Sequence, residues 1–248
     1  MGLVGVSLAA IVRDEMVNPA GGIVDFLDCT VPYVEEAVIL DTGSADGTRE
    51  ALEEAQSRYP HLRVFDHVFN GYASSRNMSL KHVRTPYALV LDADERIRPE
   101  GYLRLAELME GRMMQYDLRF INVTHRASLF TGKVRPMEGR GWGHNPRLFR
   151  TDGNPRFVDE VWEFLFHEGI DCDSYPSSLR METDVSIFHY VGTMAGREMK
   201  DKSWYSHFRP GQDFSLVPSP SQIDGFNEWK QPPAHEPSLL RRLRDLLY

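Results

Sequence analysis

The stretch AVILDTGSADGT, residues 37 to 48, passes from an apolar run into a polar turn. The apolar run contains β-branched residues and favours a buried strand, which ends at Asp41. Asp46-Gly47 then marks a turn, and apolar residues follow it at helical spacing, namely Ala51, Leu52 and Ala55. We therefore predict a strand, a turn and a helix, which is the repeating unit of α/β sheets.

The same rhythm runs through the first hundred residues. Short apolar runs predict strands at Val4–Val12, Ala37–Leu40, Leu62–Phe65 and Tyr87–Leu91. Amphipathic stretches between them predict helices, one around Phe26 and another that begins at Pro99. This alternation implies an α/β fold whose Rossmann-like, mostly parallel central sheet is flanked by helices.

Beyond Gln115 the alternation breaks down. Four short runs there predict strands at Tyr116–Val123, Ser128–Phe130, Arg147–Phe149 and Val185–His189. We expect a smaller mixed sheet in this half. The predicted organisation is one domain over residues 1–210, divided near residue 110, then a linker over 211–237 and an amphipathic helix at 238–248.

Composition narrows the class of protein. The chain has 248 residues, 42% of them hydrophobic, which suffices for a sizeable core. Its net charge of -8 argues against nucleic acid as a partner. Two cysteines are too few for a disulfide framework, and no basic residues precede the short apolar run at the start. No apolar stretch approaches the roughly 20 residues of a membrane-spanning helix. We expect a cytoplasmic protein that could touch only the inner face of a membrane, peripherally.

Two carboxylates follow the apolar run at Tyr87–Leu91, in Asp92-Ala-Asp94. Ligands of open parallel sheets bind beyond the carboxyl ends of the strands. If strand character continues, both side chains point to one side, as a pair suited to Mn²⁺ or Mg²⁺ and a diphosphate. The alternative is that Asp-Ala-Asp-Glu simply caps the helix that begins near Pro99.

Asp41 ends the neighbouring strand and has two interpretations. Its carboxylate could accept hydrogen bonds from a ribose hydroxyl or a base N–H of a nucleotide. Alternatively, Asp41 and Ser44 merely shape an Asx turn. The sequence leaves both open.

Four ordered motifs together resemble family 2 glycosyltransferases, most closely the subgroup that includes lipopolysaccharide-core glucosyltransferases. The motifs are Val6–Glu15, AVILDTGSADGT, GYASSRNMSL and YALVLDADE, and they cover roughly the first hundred residues. The resemblance implies a GT-A fold, with a nucleotide-sugar-binding half at 1–110 and an acceptor half at 111–210.

The resemblance also implies a set of donor contacts. Asp41 would contact the base or ribose of a UDP- or GDP-sugar, and Asp94 with Asp92 would hold a metal ion and the diphosphate. Arg76 would give the diphosphate a bidentate contact, and Asn77 would only help to shape its helix. The residues expected at the nucleotide-sugar are Ala10, Val12, Arg13, Glu15, Asp41, Ser44, Arg76, Asp92, Ala93 and Trp142.

Two further side chains are candidates on the same ground. Ser186-Ile-Phe-His-Tyr190 resembles a late strand of the subgroup that ends in His, so His189 would be a third metal ligand. A lone His on an apolar strand is otherwise a core residue. Trp142 lies between glycines at 141 and 143 and would either close over the donor or anchor its loop on the core.

The catalytic base has three candidates. The family usually has His-Glu on the acceptor side, and alignment of Phe157–Glu163 with it places Trp162 on the His and Glu163 on the Glu. His167-Glu168 keeps both residue types but lies five positions later. Asp159 is the third candidate. The structural alternative for all three carboxylates is the solvated face of a short helix.

These residues predict transfer of a sugar to an acceptor hydroxyl, and the resemblance implies inversion at the anomeric carbon. A glycan or a lipid-linked molecule would be the acceptor, and the helix at 238–248 would meet a membrane or a second subunit. Two alternatives remain, a sugar nucleotidyltransferase and a non-catalytic module that binds a nucleotide-sugar. A nucleotidyltransferase would ordinarily have a Gly-rich phosphate-binding loop after the first strand, but the segment Ala9–Met16 contains no glycine.

Overall fold

The computed structural model describes residues 2–16, 18, 20, 22–127, 134–138, 143–162, 165–171 and 175–191. Within these ranges it gives the backbone alone for 124–127, 134–138, 159–162, 165–168 and 191. The predicted linker at 211–237 and the predicted helix at 238–248 lie outside the described residues. The division of the chain at residue 110 stays a prediction.

In the first half of the chain, strands and helices alternate as the sequence predicts. The strands are β1 (Leu3–Val12), β2 (Val34–Asp41), β3 (Leu62–Asp66), β4 (Tyr87–Val90), β5 (Glu95–Ile97), β6 (Gln115–Ala127), β7 (Val134–Glu138), β8 (Gly143–Arg150), β9 (Phe157–Trp162), β10 (Leu165–Ile170) and β11 (Arg180–Val191). The helices are α1 (Gly22–Thr30), α2 (Thr48–Arg58), α3 (Tyr72–His82) and α4 (Pro99–Met109).

Nine of these strands form one sheet in the order β3-β2-β1-β4-β8-β6-β11-β5, with β7 beside β6. The first four are parallel to one another. Strand β8 then runs antiparallel to β4 and β6, while β11 is parallel to β6 and antiparallel to β5. Strands β9 and β10 form a separate antiparallel hairpin. The predicted α/β class, with a parallel first half and a mixed second half, is confirmed.

Both faces of the parallel part are buried, and β1 shows why. Leu8 and Ala10 pack into a large core with Ile23 and Phe26 of α1, all of them 0% exposed. Ala9 points the other way, into a second core with Ala73 of α3 and Phe149. A strand that is buried on both faces has a nearly continuous apolar sequence, as residues 3–12 have.

Three expectations about local structure are wrong. Strand β4 ends at Val90, and Asp92–Asp94 form a turn in which the Glu95 amide donates to the Asp92 carbonyl at 2.9 Å. Strand character therefore does not carry through the two aspartates. The alternative interpretation, in which Asp92–Glu95 cap the helix near Pro99, is also not what the structure has. Glu95 begins the short strand β5, which pairs with β11. Asp159 and Glu168 lie on strands rather than on a short helix.

Among the described residues, no helix has both the length and the apolar character needed to cross a membrane.

Candidate active site

The loops that follow β1 and β2 lie side by side at the carboxyl edge of the sheet, because Val12 pairs with Asp41 in register. Asp41 is 3% exposed, and its Oδ1 accepts the amides of Gly43 at 3.0 Å and Ser44 at 2.8 Å. The Asx turn predicted as one interpretation of Asp41 is therefore formed. A contact with the nucleotide is compatible with this turn and stays a prediction.

Hydrogen bonds that involve side chains connect the two loops. The Asp14 amide donates to Ser44 Oγ at 3.0 Å, and the Ala45 amide donates back to Asp14 Oδ1 at 2.8 Å. Asp14 has a φ of 52°, which turns the chain sharply after Arg13. Ala10 and Val12 are 0% and 2% exposed, so their side chains belong to the core. Any contact that these two residues make with a nucleotide must come from their backbone.

Asn18 connects this loop to the turn that carries the two aspartates, a role that sequence reasoning missed. Its Nδ2 donates to Glu15 Oε2 at 3.0 Å and to the Ala93 carbonyl at 3.1 Å. Its Oδ1 accepts the amides of Ala20 and Gly22, both at 2.9 Å. Glu15 and Ala93 are buried, so both predicted donor residues help to hold the loops in place. An isolated polar residue beside a proline carries no sequence signal for such a bridge.

Arg76 reaches the predicted site from α3, but the group that it contacts is Asp92. Its Nη2 makes a short ion pair with Asp92 Oδ1, and its side chain is 3% exposed. Arg147 Nη2 lies 3.8 Å from the other oxygen of Asp92. Two guanidinium groups therefore balance the charge of Asp92. The predicted contact of Arg76 with a diphosphate stays a prediction.

A buried ion pair beside Asp92 was not predicted. Arg147 Nη2 lies 2.6 Å from Glu95 Oε1, and Glu95 is 1% exposed. Burial raises the pKa of Glu95 above its ordinary value, and the negative charges of Asp92 and Asp94 add to this effect, while Arg147 lowers the pKa. The Asp92 amide donates to Glu95 Oε2 at 2.9 Å. Glu95 thus holds both Arg147 and the turn, and its place directly after Asp92-Ala-Asp94 was the available signal.

Asp94 and His189 come together across the edge of the sheet. Strand β11 pairs with β5 so that His189 faces Glu95, and the Tyr190 amide donates to the Asp94 carbonyl at 2.9 Å. The two side chains then approach, with His189 Nε2 at 3.7 Å from Asp94 Oδ2. His189 Nδ1 lies 3.1 Å from Asn122 Oδ1. Two of the three residues predicted as metal ligands, Asp94 and His189, are therefore neighbours, although they are far apart in sequence.

The fit of this set to a divalent cation can be judged from its donors. A carboxylate oxygen and an imidazole nitrogen suit Mn²⁺, and a separation of 3.7 Å is compatible with two ligands of one ion. Asp92 instead faces Arg76. Within the described ranges no group of three or more His, Cys, Asp or Glu side chains is arranged to hold a metal. The pair Asp94 and His189 fits an ion whose remaining ligands come from a substrate diphosphate.

The predicted bases fall on the β9–β10 hairpin. Asp159 and Glu168 are directly opposite each other in its register. Glu163 and Trp142 lie outside the described residues. Asn77 is not merely a helix-shaping neighbour, because it ties α3 to this hairpin. Its Oδ1 accepts the Phe157 amide and its Nδ2 donates to the Phe157 carbonyl, each at 2.8 Å.

Comparison with protein families gives a match over part of the chain. Residues 31–153 match the family model described as Glycosyl transferase family 2. Over these residues the chain is similar to family 2 glycosyltransferases. The matched range includes Asp41, Arg76, Arg147 and the turn at Asp92–Asp94, while His189 and the loop after β1 lie outside it.

Similar proteins cover only part of the chain. A TPR repeat-containing protein from Synechococcus elongatus is 32% identical over 105 residues, which are 42% of this chain and 24% of that protein. A teichoic acid poly(glycerol phosphate) polymerase from Staphylococcus epidermidis is 37% identical over 62 residues, 24% of this chain and 9% of that protein. The chain thus matches a quarter or less of the length of these relatives.

The fold has a counterpart among solved structures. The crystal structure of S. aureus TarS 1-349 is 15% identical, covers 80% of this chain and 63% of that one, and superposes with a TM-score of 0.50. The predicted GT-A type of fold is confirmed. The predicted subgroup, that of lipopolysaccharide-core glucosyltransferases, stays a prediction.

Proposed function

We propose that the protein is a metal-dependent glycosyltransferase that moves a sugar from a UDP- or GDP-sugar to an acceptor hydroxyl, with inversion. The observation that carries the proposal is the arrangement at the carboxyl edge of the sheet in a chain similar to family 2 glycosyltransferases. There, Asp41 ends one parallel strand, Asp92 and Asp94 follow another, and His189 lies 3.7 Å from Asp94. A cleft at the strand ends is where open α/β sheets bind nucleotides.

In the proposed reaction a carboxylate takes the proton from the acceptor hydroxyl. The hydroxyl oxygen then bonds to the anomeric carbon, and the bond from that carbon to the diphosphate oxygen breaks on the opposite face. Glu163 is the first candidate for the base, with Glu168 and Asp159 as alternatives. The acceptor is a glycan or a lipid-linked molecule.

The proposed reaction also requires that the negative charge on the departing diphosphate is stabilised. Asp94 and His189 would hold Mn²⁺ or Mg²⁺, which when bound neutralises negative charge on the diphosphate. Arg147 and Arg76 add fixed positive charge beside Asp92, and they are already oriented by ion pairs. The buried Glu95 also holds Arg147, at 2.6 Å.

A donor screen tests the proposal. We expect a UDP- or GDP-sugar to raise the melting temperature only when Mn²⁺ or Mg²⁺ is present, because a ligand that binds the native state alone stabilises it. Release of nucleoside diphosphate in the presence of an acceptor would identify sugar transfer, whereas release of pyrophosphate from sugar phosphate and nucleoside triphosphate would identify a nucleotidyltransferase instead.

The metal site is tested by Asp94→Asn. This variant keeps the shape of the turn but removes the charge, so we expect the metal-dependent shift to disappear. Asp184→Asn is the matched control, because Asp184 is exposed and pairs with Arg104 away from the site. If Asp94→Asn binds and turns over donor like the unchanged protein, the assignment of the metal site is wrong.

A further inference from the structure

Three neighbouring strands bring Asn122 into contact with His189. In the parallel pair β6–β11 Asn122 is the register partner of His189, and in the antiparallel pair β11–β5 His189 is the partner of Glu95. The three residues therefore lie in one row across the sheet. In this row the Asn122 side chain reaches His189 Nδ1, with its Oδ1 at 3.1 Å.

The contact determines which nitrogen of the ring carries the proton. An amide oxygen only accepts hydrogen bonds, so His189 Nδ1 must donate to it. In a neutral imidazole the other nitrogen then presents its lone pair. That nitrogen, Nε2, is the one that faces Asp94 at 3.7 Å. Phe120 lies beside the ring, with centroids 5.9 Å apart.

We infer that Asn122 is a positioning residue that holds His189 as the Nδ1–H tautomer, with Nε2 ready to bind a divalent cation. This inference rests on the proposed metal site. It assigns Asn122 the task that a carboxylate or backbone carbonyl often has behind a metal-binding histidine. Because Asn122 is uncharged, it fixes the ring without adding negative charge to a region that already contains Asp92, Asp94 and Glu95.

Two measurements on the full chain test the inference. Long-range ¹H–¹⁵N NMR of the metal-free protein should show His189 as the Nδ1–H tautomer, and Asn122→Ala should lose that signature. Titration with Mn²⁺ alone should show about 10- to 100-fold weaker binding by Asn122→Ala. Asn122→Asp keeps an acceptor oxygen at the same place, so it should retain the tautomer and bind Mn²⁺ far better than Asn122→Ala.

The outcomes separate this inference from the proposed function. If His189→Ala binds Mn²⁺ as tightly as the unchanged protein, the proposed metal site itself is wrong. If His189→Ala weakens binding while Asn122→Ala does not, the metal site stands and the positioning role is overturned. A tautomer with the proton on Nε2 in the unchanged protein would also overturn it.

A separate groove runs along the outer side of α3. Two adjoining cavities of about 380 and 330 Å³ lie between this helix and the chain that leads into β9. Both are lined by Asn77, Lys81 and Arg156. Asn77 is held in place by its two hydrogen bonds to the backbone of Phe157.

Two cationic side chains line this groove. Many arginines of this acidic chain are ion-paired, for example Arg49, Arg58 and Arg63. By contrast, the exposed side chains of Lys81 and Arg156 have no carboxylate within salt-bridge distance in the part of the chain that the structure describes. Two unpaired cations that come from separate segments and line the same cavities favour an anionic ligand.

We propose that the groove binds a phosphate-bearing molecule through Lys81 and Arg156. The combined cavities have room for a small organic phosphate. The site is separate from the cluster of Asp92, Asp94 and His189, and it does not depend on the proposed transferase activity.

Amide NMR of the full chain tests the groove. Glycerol 3-phosphate and inorganic phosphate should shift the amide signals of Asn77, Lys81 and Arg156 saturably, while glycerol should not. The double variant Lys81→Ala with Arg156→Ala should weaken binding at least 10-fold, and Arg119→Ala, which removes one exposed charge elsewhere, should not. Shifts that do not saturate, or that survive in the double variant, overturn the proposal.

Discussion

At the scale of single residues, buried charges dominate the candidate site. Glu95 is almost fully buried, yet it contacts Arg147 at 2.6 Å and lies beside the more exposed Asp92. A buried charge without a partner is strongly destabilising, so each of these groups requires the others. The ion pairs keep Arg76 and Arg147 oriented, and such preorganised charge would stabilise the departing diphosphate of the proposed reaction.

One prediction at this scale concerns Glu163 as the catalytic base. Glu163→Gln keeps the shape of the side chain and removes the proton acceptor, so sugar transfer should fall by about 10²-fold or more. Donor affinity should stay nearly unchanged, since the base contacts the acceptor. Initial rates of nucleoside diphosphate release, measured beside donor titrations, check both expectations. Native activity in Glu163→Gln together with a loss in Glu168→Gln would move the base to Glu168, and a loss only in Asp159→Asn would move it to Asp159.

At the scale of elements, α3 connects the two halves of the site. Its buried side carries Arg76 to Asp92, while Asn77, the next residue, holds the backbone of Phe157 at the start of β9. The hairpin that carries Asp159 and Glu168 therefore depends on a helix that also contacts Asp92. The β9–β10 pair is separate from the main sheet, which makes this tie more important for its position.

We predict that Asn77→Ala loosens the hairpin. Loss of two hydrogen bonds to a partly buried backbone should lower the free energy of unfolding by about 1–3 kcal/mol. Hydrogen exchange at the Phe157 amide should accelerate more than exchange in β1. Ser74→Ala on the same helix serves as the control, and equal exchange rates in the two variants would show that Asn77 does not hold β9.

At the scale of the whole molecule, a polar network joins the parallel strands at the opposite end from the site. Glu36 of β2 accepts Ser7 Oγ of β1 at 2.5 Å and Arg63 Nη1 of β3 at 2.6 Å. It also accepts the Arg84 amide at 3.0 Å, just before β4. One carboxylate thus links four consecutive strands of the sheet.

This network predicts a dependence of stability on pH. Burial disfavours the charge of Glu36, but the hydrogen bonds from Ser7, Arg63 and the Arg84 amide outweigh it and lower its pKa. A lowered pKa gives stability that is complete above the ordinary glutamate pKa of about 4.3 and is lost as the pH falls through the folded value. Glu36→Gln should therefore destabilise at neutral pH by about 1–3 kcal/mol, and by less in acid.

Thermal unfolding from about pH 7 down to about pH 3 measures this difference. Glu54→Gln, an exposed change on α2, is the control and should follow the unchanged protein at every pH. A gap between Glu36→Gln and the unchanged protein that stays constant or widens in acid would contradict the assigned direction of the pKa.

The amino-acid sequence by itself determined the parallel half of the fold. Doubly buried strands produce long apolar runs, and helix starts such as Pro99 leave local signals, so the elements from β1 to β4 and α4 were predictable. The order of the polar motifs was also sufficient to indicate family 2. These features depend on residues that are close together in the chain.

Only the tertiary structure decided which side chains meet. The register of β5, β6 and β11 places Asn122, His189 and Glu95 in one row, and a turn after Val90 separates Asp92 from Asp94. Arg76 and Arg147 meet Asp92 from α3 and β8, elements that lie more than 60 residues apart. Such contacts depend on strand order and register, which arise from packing across the whole sheet and have no local signature in the sequence.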